Sequence, residues 1–363
     1  MPKRLGLGYL AGAAMTVLAG AAYADSITPD SFSDTIGVGG ATTVHKTVLV
    51  SEGTPTTAQG DVYFLSDTTG SMGPAIAAVK TGFSNVVTAL GGFGSIAFGA
   101  GEYKDTGDGL PLNGGSYRIN QTINTNAALT QTAIDGWTAS GGGDTPEQGL
   151  SALRTASGAS TGWRAGSKKI IVLTGDAPSH DVAHPVPAIA GTTTTNTGGD
   201  LAANGVTLES ANVGALNSFG QFDGADSVYA HGASGTFFNS LDPDNLVDDI
   251  IAAIGEAFAN YSNVTLDLSG VPAGLSAALV PIDYSGSFDR SIDRTFEFDL
   301  TFTGLVPGVY SFDVNALVDG GIIATEHDTI TVVAAVPEPA TLSLLGLSLL
   351  GLGFARRRLA RKS

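Results

Sequence analysis

Apolar residues in this chain follow two rhythms. In the middle, short unbroken apolar runs alternate with stretches spaced for a helical face. Residues 61–66, with Val62-Tyr63-Phe64-Leu65 at their centre, read as a strand buried on both faces. A polar loop follows, Pro74 opens a helix, and Ile76, Val79, Phe83, Val86, Val87 and Leu90 recur at three- and four-residue spacing. The same reading predicts strands over 96–103, 117–119, 168–173 and 206–213. It predicts helices over 127–137, from the Thr145-Pro146 region to about 156, and over 244–259, while 192–199 is a low-complexity Thr/Gly loop. After residue 262 the rhythm changes. Strands over 264–268, 275–280, 295–302, 309–317 and 322–333 are separated by Gly/Pro turns, and 44–50 alternates in the same way. The fold class expected is therefore α/β, a doubly wound and mostly parallel sheet, with a second, small all-β sandwich domain. The segment 25–59 supplies a strand to that sandwich, so that the α/β domain (60–260) is inserted into it ahead of 262–334; an inserted domain must have its two ends close together.

Composition narrows the chemistry. The 363 residues include no Cys, which excludes disulfide scaffolds, zinc–thiolate sites and thiol catalysis. Of 17 Lys+Arg, two lie at the start (Lys3, Arg4) and five at the end (Arg356, Arg357, Arg358, Arg361, Lys362). Residues 25–336 thus hold 10 basic residues against 33 acidic ones. A body so acidic repels nucleic acid and anionic membrane, so neither is expected as a partner.

Both ends read as addresses. Residues 1–24 have a basic start, an apolar stretch from Leu5 to Ala22 and the small-x-small pattern Ala22-Tyr23-Ala24, which is a secretory signal that leaves Asp25 first; an uncleaved N-terminal anchor is the alternative. At the other end Val336-Pro337-Glu338-Pro339 precedes an apolar run from Ala340 to Ala355 and then three arginines. The run is short for a stable span of about 20 residues, and its arginines favour the cytoplasm, so it reads as a stop-transfer segment that anchors the chain transiently in the inner membrane. This pattern over 336–363 resembles the PEP-CTERM sorting signal. The resemblance implies recognition and cleavage by exosortase and release to the outer surface or extracellular matrix of a Gram-negative bacterium. An ordinary C-terminal anchor is the other reading.

Two predicted strands end in aspartate. Asp67-x-Thr69-x-Ser71 sets one carboxylate and two hydroxyls on one turn, Thr145 can add a hydroxyl from a second loop, and Asp176 can add a second carboxylate. Hard divalent cations take such oxygen ligands. Two carboxylates balance the ion's charge, so an open position favours an anionic ligand. Asp-x-Thr-Gly-Ser-Met, Gly-Gly-Asp-Thr-Pro-Glu and Leu-Thr-Gly-Asp-Ala-Pro-Ser-His together resemble the von Willebrand factor A domain, a Rossmann-like fold, and its metal-ion-dependent adhesion site; Trp163-Arg164 resembles its bacterial and matrix branch. The resemblance covers about 60–260. It implies that Asp67, Thr69, Ser71, Thr145 and Asp176 ligate Mg²⁺, with Ca²⁺ or Mn²⁺ as substitutes. The chain departs from the family at Gly175, an added residue that leaves the position of Asp176 open.

Each residue also has a plainer reading. Asp67 can start a turn, Thr145 can cap a helix in a capping box with Gln148, and Asp176 can be a loop carboxylate. His180, Asp181 and His184 are spaced for a metal only on a helix, and the neighbouring prolines favour a solvated loop. Glu102-Tyr103-Lys104-Asp105, at a strand end, has the groups to hold a second ion, but a surface charge pair is the reading preferred. The function expected is an adhesion or binding protein whose partner, a protein or matrix ligand, offers a carboxylate. The alternative is a structural matrix protein with a purely stabilising Ca²⁺ or Mg²⁺. With neither Gly-x-Ser-x-Gly nor His-Glu-x-x-His present, the protein is expected not to be an enzyme.

Overall fold

The computed structural model describes residues 24–143, 145–181, 189–334, 347–350 and 352. Nearly all of the signal segment, Asp144, His184 and most of the C-terminal sorting segment lie outside the described residues.

The chain opens with three strands, β1 (Ser26–Thr28), β2 (Ser31–Gly37) and β3 (Ala41–Val50). An α/β unit follows: β4 (Ala58–Asp67), α1 (Gly73–Leu90), β5 (Gly94–Tyr103), β6 (Tyr117–Asn124), α2 (Ala127–Asp135), α3 (Gly149–Ser157), β7 (Lys168–Gly175), α4 (Thr194–Ala203), β8 (Val206–Asn212), β9 (Ser234–Asn239) and α5 (Leu246–Ala259). Its six strands run in the order β6-β5-β4-β7-β8-β9. All neighbours are parallel except β5 and β6. This is a mostly parallel, doubly wound sheet whose order reverses between β4 and β7. Period-two alternation explains why the central strands are apolar throughout. Val62 and Phe64 pack with α1 and α5 on one face, while Tyr63 and Leu65 join Leu150, Leu153 and Leu201 of α3 and α4 on the other.

The remaining strands are β10 (Asn260–Asp267), β11 (Leu275–Val280), β12 (Asp283–Asp289), β13 (Arg294–Gly304), β14 (Gly308–Val318) and β15 (Gly321–Val333). They form two sheets, β1-β3-β13-β11 and β12-β10-β14-β15-β2. β3 pairs antiparallel with β13 from Ala41 opposite Thr303 to Val50 opposite Arg294. Val44, Val48, Phe298 and Leu300 of one sheet meet Val264, Leu266, Val314 and Ile330 of the other in one core. β2 runs parallel to β15, the one parallel pair in an otherwise antiparallel sandwich of described residues. Asp25 enters this unit at once, because its carboxylate takes a buried bidentate pair from Arg290 at 2.8 and 2.9 Å. Lys168 donates to Asp319 at 3.1 Å and Ile322 N–H to Gly166 O at 2.8 Å, which ties the sandwich to the base of β7.

The structure departs from the sequence expectations in places. The 192–199 stretch is not a loop. Thr193 caps α4 by accepting from Asn196 N–H at 2.9 Å, and buried Leu201 anchors the helix, so tertiary burial overrides poor propensity. His180 and Asp181 are buried rather than solvated. His180 Nε2 lies 3.4 Å from Asp105, and Gln221 donates to Asp181 at 2.7 Å. Short edge strands such as β1, β9 and β12 escape the sequence pattern because they carry few apolar residues.

Glu209, on β8, is buried against Thr236, which donates to it from Oγ1 at 2.5 Å and from N–H at 3.2 Å. Burial nevertheless pushes its carboxyl from 4.5 up to about 7, outweighing those hydrogen bonds. A raised folded-state value means stability that is present below the unfolded pKa and lost as pH rises through the folded one. Glu209→Gln is therefore expected to remove roughly 3 kcal/mol of stability loss between about pH 4.5 and 7, read as a flatter pH dependence of the urea midpoint. A slope equal to the parent's would refute this.

Candidate metal centre

The carboxyl ends of β4 and β7 lie side by side at the point where the strand order reverses. Ser66 is in register with Thr174, and Thr174 Oγ1 donates to Ser66 Oγ at 2.9 Å. Such a crevice is where open α/β sheets bind ligands. Asp67 is the last residue of β4, and Asp176 comes directly after β7. Asp67 is fully buried. Its Oδ1 accepts from Thr69 N–H at 2.8 Å and from Thr69 Oγ1 at 2.7 Å, while its Oδ2 is buried without a hydrogen-bond partner. Asp176 is half-buried, and its Oδ1 is likewise buried and unpartnered. Ser71 is exposed in a one-turn 3₁₀ helix that leads into α1. Thr145 is exposed on the neighbouring loop.

Gly175 is the last residue of β7. A Cβ at Gly175 would lie 2.5 Å from the Tyr103 hydroxyl and 3.8 Å from Asp67 Cβ. Glycine therefore lets the strand end sit against the floor of the crevice without displacing Tyr103.

The two loops are clipped together through backbone. Gly70 N–H donates to Gly141 O at 3.2 Å and Ser140 N–H to Thr68 O at 3.0 Å. Buried Lys104 adds a side-chain clamp, donating to Thr68 O at 2.5 Å, to Thr138 O at 3.3 Å and to Ser140 O. Glu102 fixes the same turn by accepting from Thr68 Oγ1 at 3.0 Å and from Asn120 at 2.9 Å. The Glu102 to Asp105 segment is therefore a buried brace for the crevice and not a surface charge pair. Its sequence looked like solvated polar chain because only tertiary contacts supply its partners.

Gly141 and Gly142 both take left-handed backbone, at φ 75° and 69°. A Cβ on Gly142 would stand 2.6 Å from Thr69 Cβ. Gly142→Ala is expected to cost about 1–3 kcal/mol through strain and to push the loops apart. A urea midpoint equal to the parent's would sink that expectation.

Thr145 does not cap α3. The helix begins at Gly149 after Gln148, and its free Leu150 N–H donates to Ser179 Oγ at 2.8 Å from the loop after β7. The capping-box expectation fails because the chain first pairs as a bridge between Glu147 and Ser179.

Glu147 is the residue that sequence reasoning passed over, although it stands in the quoted Gly-Gly-Asp-Thr-Pro-Glu. It is buried and its Oε2 has no hydrogen-bond partner. Its carboxyl is pushed from 4.5 up to about 9, by burial first and then by Asp67, Asp105, Asp108 and Asp176. Burial, with Asp176 adding to it, pushes Asp67 from 3.8 up to about 7 against the hydrogen bonds from Thr69. These carboxylates repel one another and want positive charge. Among the described residues no group of three or more His, Cys, Asp or Glu is arranged to hold a metal. A cation at this crevice would draw on two carboxylates and on hydroxyls. The unpartnered oxygens of Asp67 and Asp176, with the Thr69 hydroxyl on Asp67 and exposed Ser71 two residues further along the turn, fit a hard divalent ion.

Comparisons with known proteins bear on the two ends of this reading. Residues 335–358 match the family model of the PEP-CTERM protein-sorting motif. The chain is therefore an exported protein of the kind that exosortase processes at the membrane. Among the described residues no helix is long and apolar enough to cross a membrane, and most of the run from Ala340 to Ala355 lies outside them. The fold is similar to a von Willebrand factor type A protein from Catenulispora acidiphila, with 14% identity, 88% of this chain and 74% of that one covered, and a TM-score of 0.43. It is also similar to the pilus adhesin SpaC from Lactobacillus rhamnosus GG, with 11% identity, 80% and 46% covered, and a TM-score of 0.41. A third likeness is to proximal thread matrix protein 1 of the mussel byssus, with 15% identity, 58% and 48% covered, and a TM-score of 0.41. The chain spans less than half the length of the last two. No curated protein matches it by sequence.

Proposed function

We propose that this is an adhesion or binding protein of the outer surface or extracellular matrix of a Gram-negative bacterium, which engages a carboxylate-bearing protein or matrix partner through Mg²⁺. Asp67, Thr69, Ser71, Thr145 and Asp176 would hold the ion, and Ca²⁺ or Mn²⁺ could replace it. The observation that carries the reading is the pair of buried, unpartnered carboxylate oxygens of Asp67 and Asp176 at the reversal point of the sheet. Leaving such groups unsatisfied costs several kcal/mol. A bound divalent ion would neutralise them and, with a position open to solvent, let an acidic protein accept an acidic partner. A purely stabilising ion is the second reading; the exposure of Ser71 and Thr145 favours an open site. No enzymatic step is proposed.

The test is capture of extracellular matrix components by the purified protein in Mg²⁺ and in chelator. Capture in Mg²⁺ alone is expected. Capture that ignores the chelator would overturn the reading. Thermal shifts with metal do not decide between the two roles, since any ion bound by the folded state raises stability.

A further inference from the structure

The sandwich core contains three charged side chains at positions where period-two alternation demands apolar ones. Lys46 shares its inward face of β3 with Val44, Val48 and Val50. Glu326 and Asp328 share the inward face of β15 with Ile330 and Val332. The three side chains are 0% exposed. Lys46 Nζ contacts Glu326 Oε1 and stands 3.3 Å from Asp328 Oδ1, with the Phe32 ring centroid 5.6 Å away. Glu326 Oε2 and Asp328 Oδ2 are buried without hydrogen-bond partners. β3 and β15 belong to different sheets, so the contact crosses the core.

We propose that the folded protein joins Lys46 Nζ to Glu326 Cδ in an intramolecular amide bond, with Asp328 carrying the proton. An amine, a carboxyl group and a neighbouring carboxylate are all that such a condensation needs. Asp328 takes a proton from the Lys46 ammonium and frees its lone pair. The amine attacks Cδ of Glu326 in its protonated form. The new N–C bond forms, the C–O bond to the hydroxyl breaks, and one water leaves. Asp328 returns a proton to that departing hydroxyl and takes one from nitrogen, so it ends as the neutral acid. The trio begins with one positive and one negative charge and ends with none, which suits an apolar core. Burial favours the protonated starting form, since it pushes Glu326 up to about 7. Dry surroundings also oppose the reverse hydrolysis. An ion pair left uncondensed here would carry the desolvation cost of buried charges, which their attraction often fails to repay. The partners lie 280 residues apart in sequence, so only the folded sandwich brings them together.

The test is mass spectrometry of the purified full chain. The intact mass should be one water below that of the same chain uncondensed. Trypsin should fail to cut after Lys46, and the Lys46 peptide should emerge joined to the peptide that follows Arg294, with fragment ions placing the link at Glu326. Lys46→Arg should restore the full mass and give a chain that migrates differently on a denaturing gel, because the parent carries a closed loop. Asp328→Asn should lower the joined fraction at least tenfold in freshly folded protein. A parent chain of full mass with Lys46 cleaved would overturn the proposal without reference to any variant. A link to Asp328 would overturn the choice of acceptor, and unimpaired joining in Asp328→Asn would overturn the proton-carrying role.

Discussion

Asp67→Asn is expected to abolish magnesium-dependent binding while the protein stays folded. The side chain sits at the end of a central strand, fully buried, and its Oδ1 is already occupied by Thr69. An amide oxygen can accept the same two hydrogen bonds, so the turn that carries Thr69 and Ser71 has no reason to open. The charge is what disappears. Burial already holds the Asp67 carboxyl up at about 7, so its neutral replacement relieves a cost in the metal-free protein. A divalent ion then faces one carboxylate where it had two. Removing one member of a buried charge pair typically costs about 2–5 kcal/mol, or roughly 30-fold to several-thousand-fold in affinity. Capture of matrix partners should fall to the level seen in chelator, while circular dichroism matches the parent's and the metal-free urea midpoint at neutral pH is no lower than the parent's. Magnesium-dependent capture by Asp67→Asn at the parent's level would refute the assignment of this carboxylate.

The second large effect is structural. Arg164→Ala is expected to destabilise the α/β unit by about 3–5 kcal/mol, the cost of leaving a buried charge unpaired. Asp61 lies near the start of β4 with 0% exposure. Its oxygens take Arg164 Nε at 2.6 Å, Arg164 N–H at 2.7 Å and Ser167 Oγ at 2.7 Å. Arg164 Nη2 donates to Gly60 O at 2.6 Å and to Ser95 O at 2.8 Å, and Nη1 to Ser95 Oγ at 2.9 Å, so one side chain links β4, β5 and the turn before β7. For a unit of this size the loss corresponds to roughly 10 °C in melting temperature. Asp61→Asn combined with Arg164→Ala should recover part of it, since no charge is then stranded. A single variant that melts within about 2 °C of the parent would show that the pair contributes little.

These two sites also differ in how far they could be read from the residues. Asp67 stands in a spaced motif, so its chemistry was visible before any fold. Asp61 carries no such mark, and the Trp163-Arg164 pattern says nothing of Arg164's partner, because the pairing depends on the turn 162–167 folding back beneath β4. The same holds for Lys104. It occupies a polar stretch that any local reading takes as solvated, yet it clamps two loops by their carbonyls. Glu147 lay within a quoted motif, but its importance is electrostatic. The rise of its carboxyl to about 9 comes from burial and from carboxylates on other loops, and neither is a property of its neighbours in sequence.

The sequence alone determined the repeating elements and hence the fold class. A short unbroken apolar run rich in β-branched and aromatic residues and bounded by turn residues suits a strand covered on both sides, and three- and four-residue apolar spacing suits a helix buried along one face. It also determined the address at the C-terminus, which is local by nature. Tertiary structure alone decided which strands neighbour which, and therefore that Asp67 and Asp176 end on adjacent strands. It decided that β3 pairs with β13 across more than 240 residues of chain, and that Lys46 meets Glu326 inside a dry core. Local patterns report which side of an element faces inward. They are silent on what waits there, because that partner is chosen by packing over the whole chain.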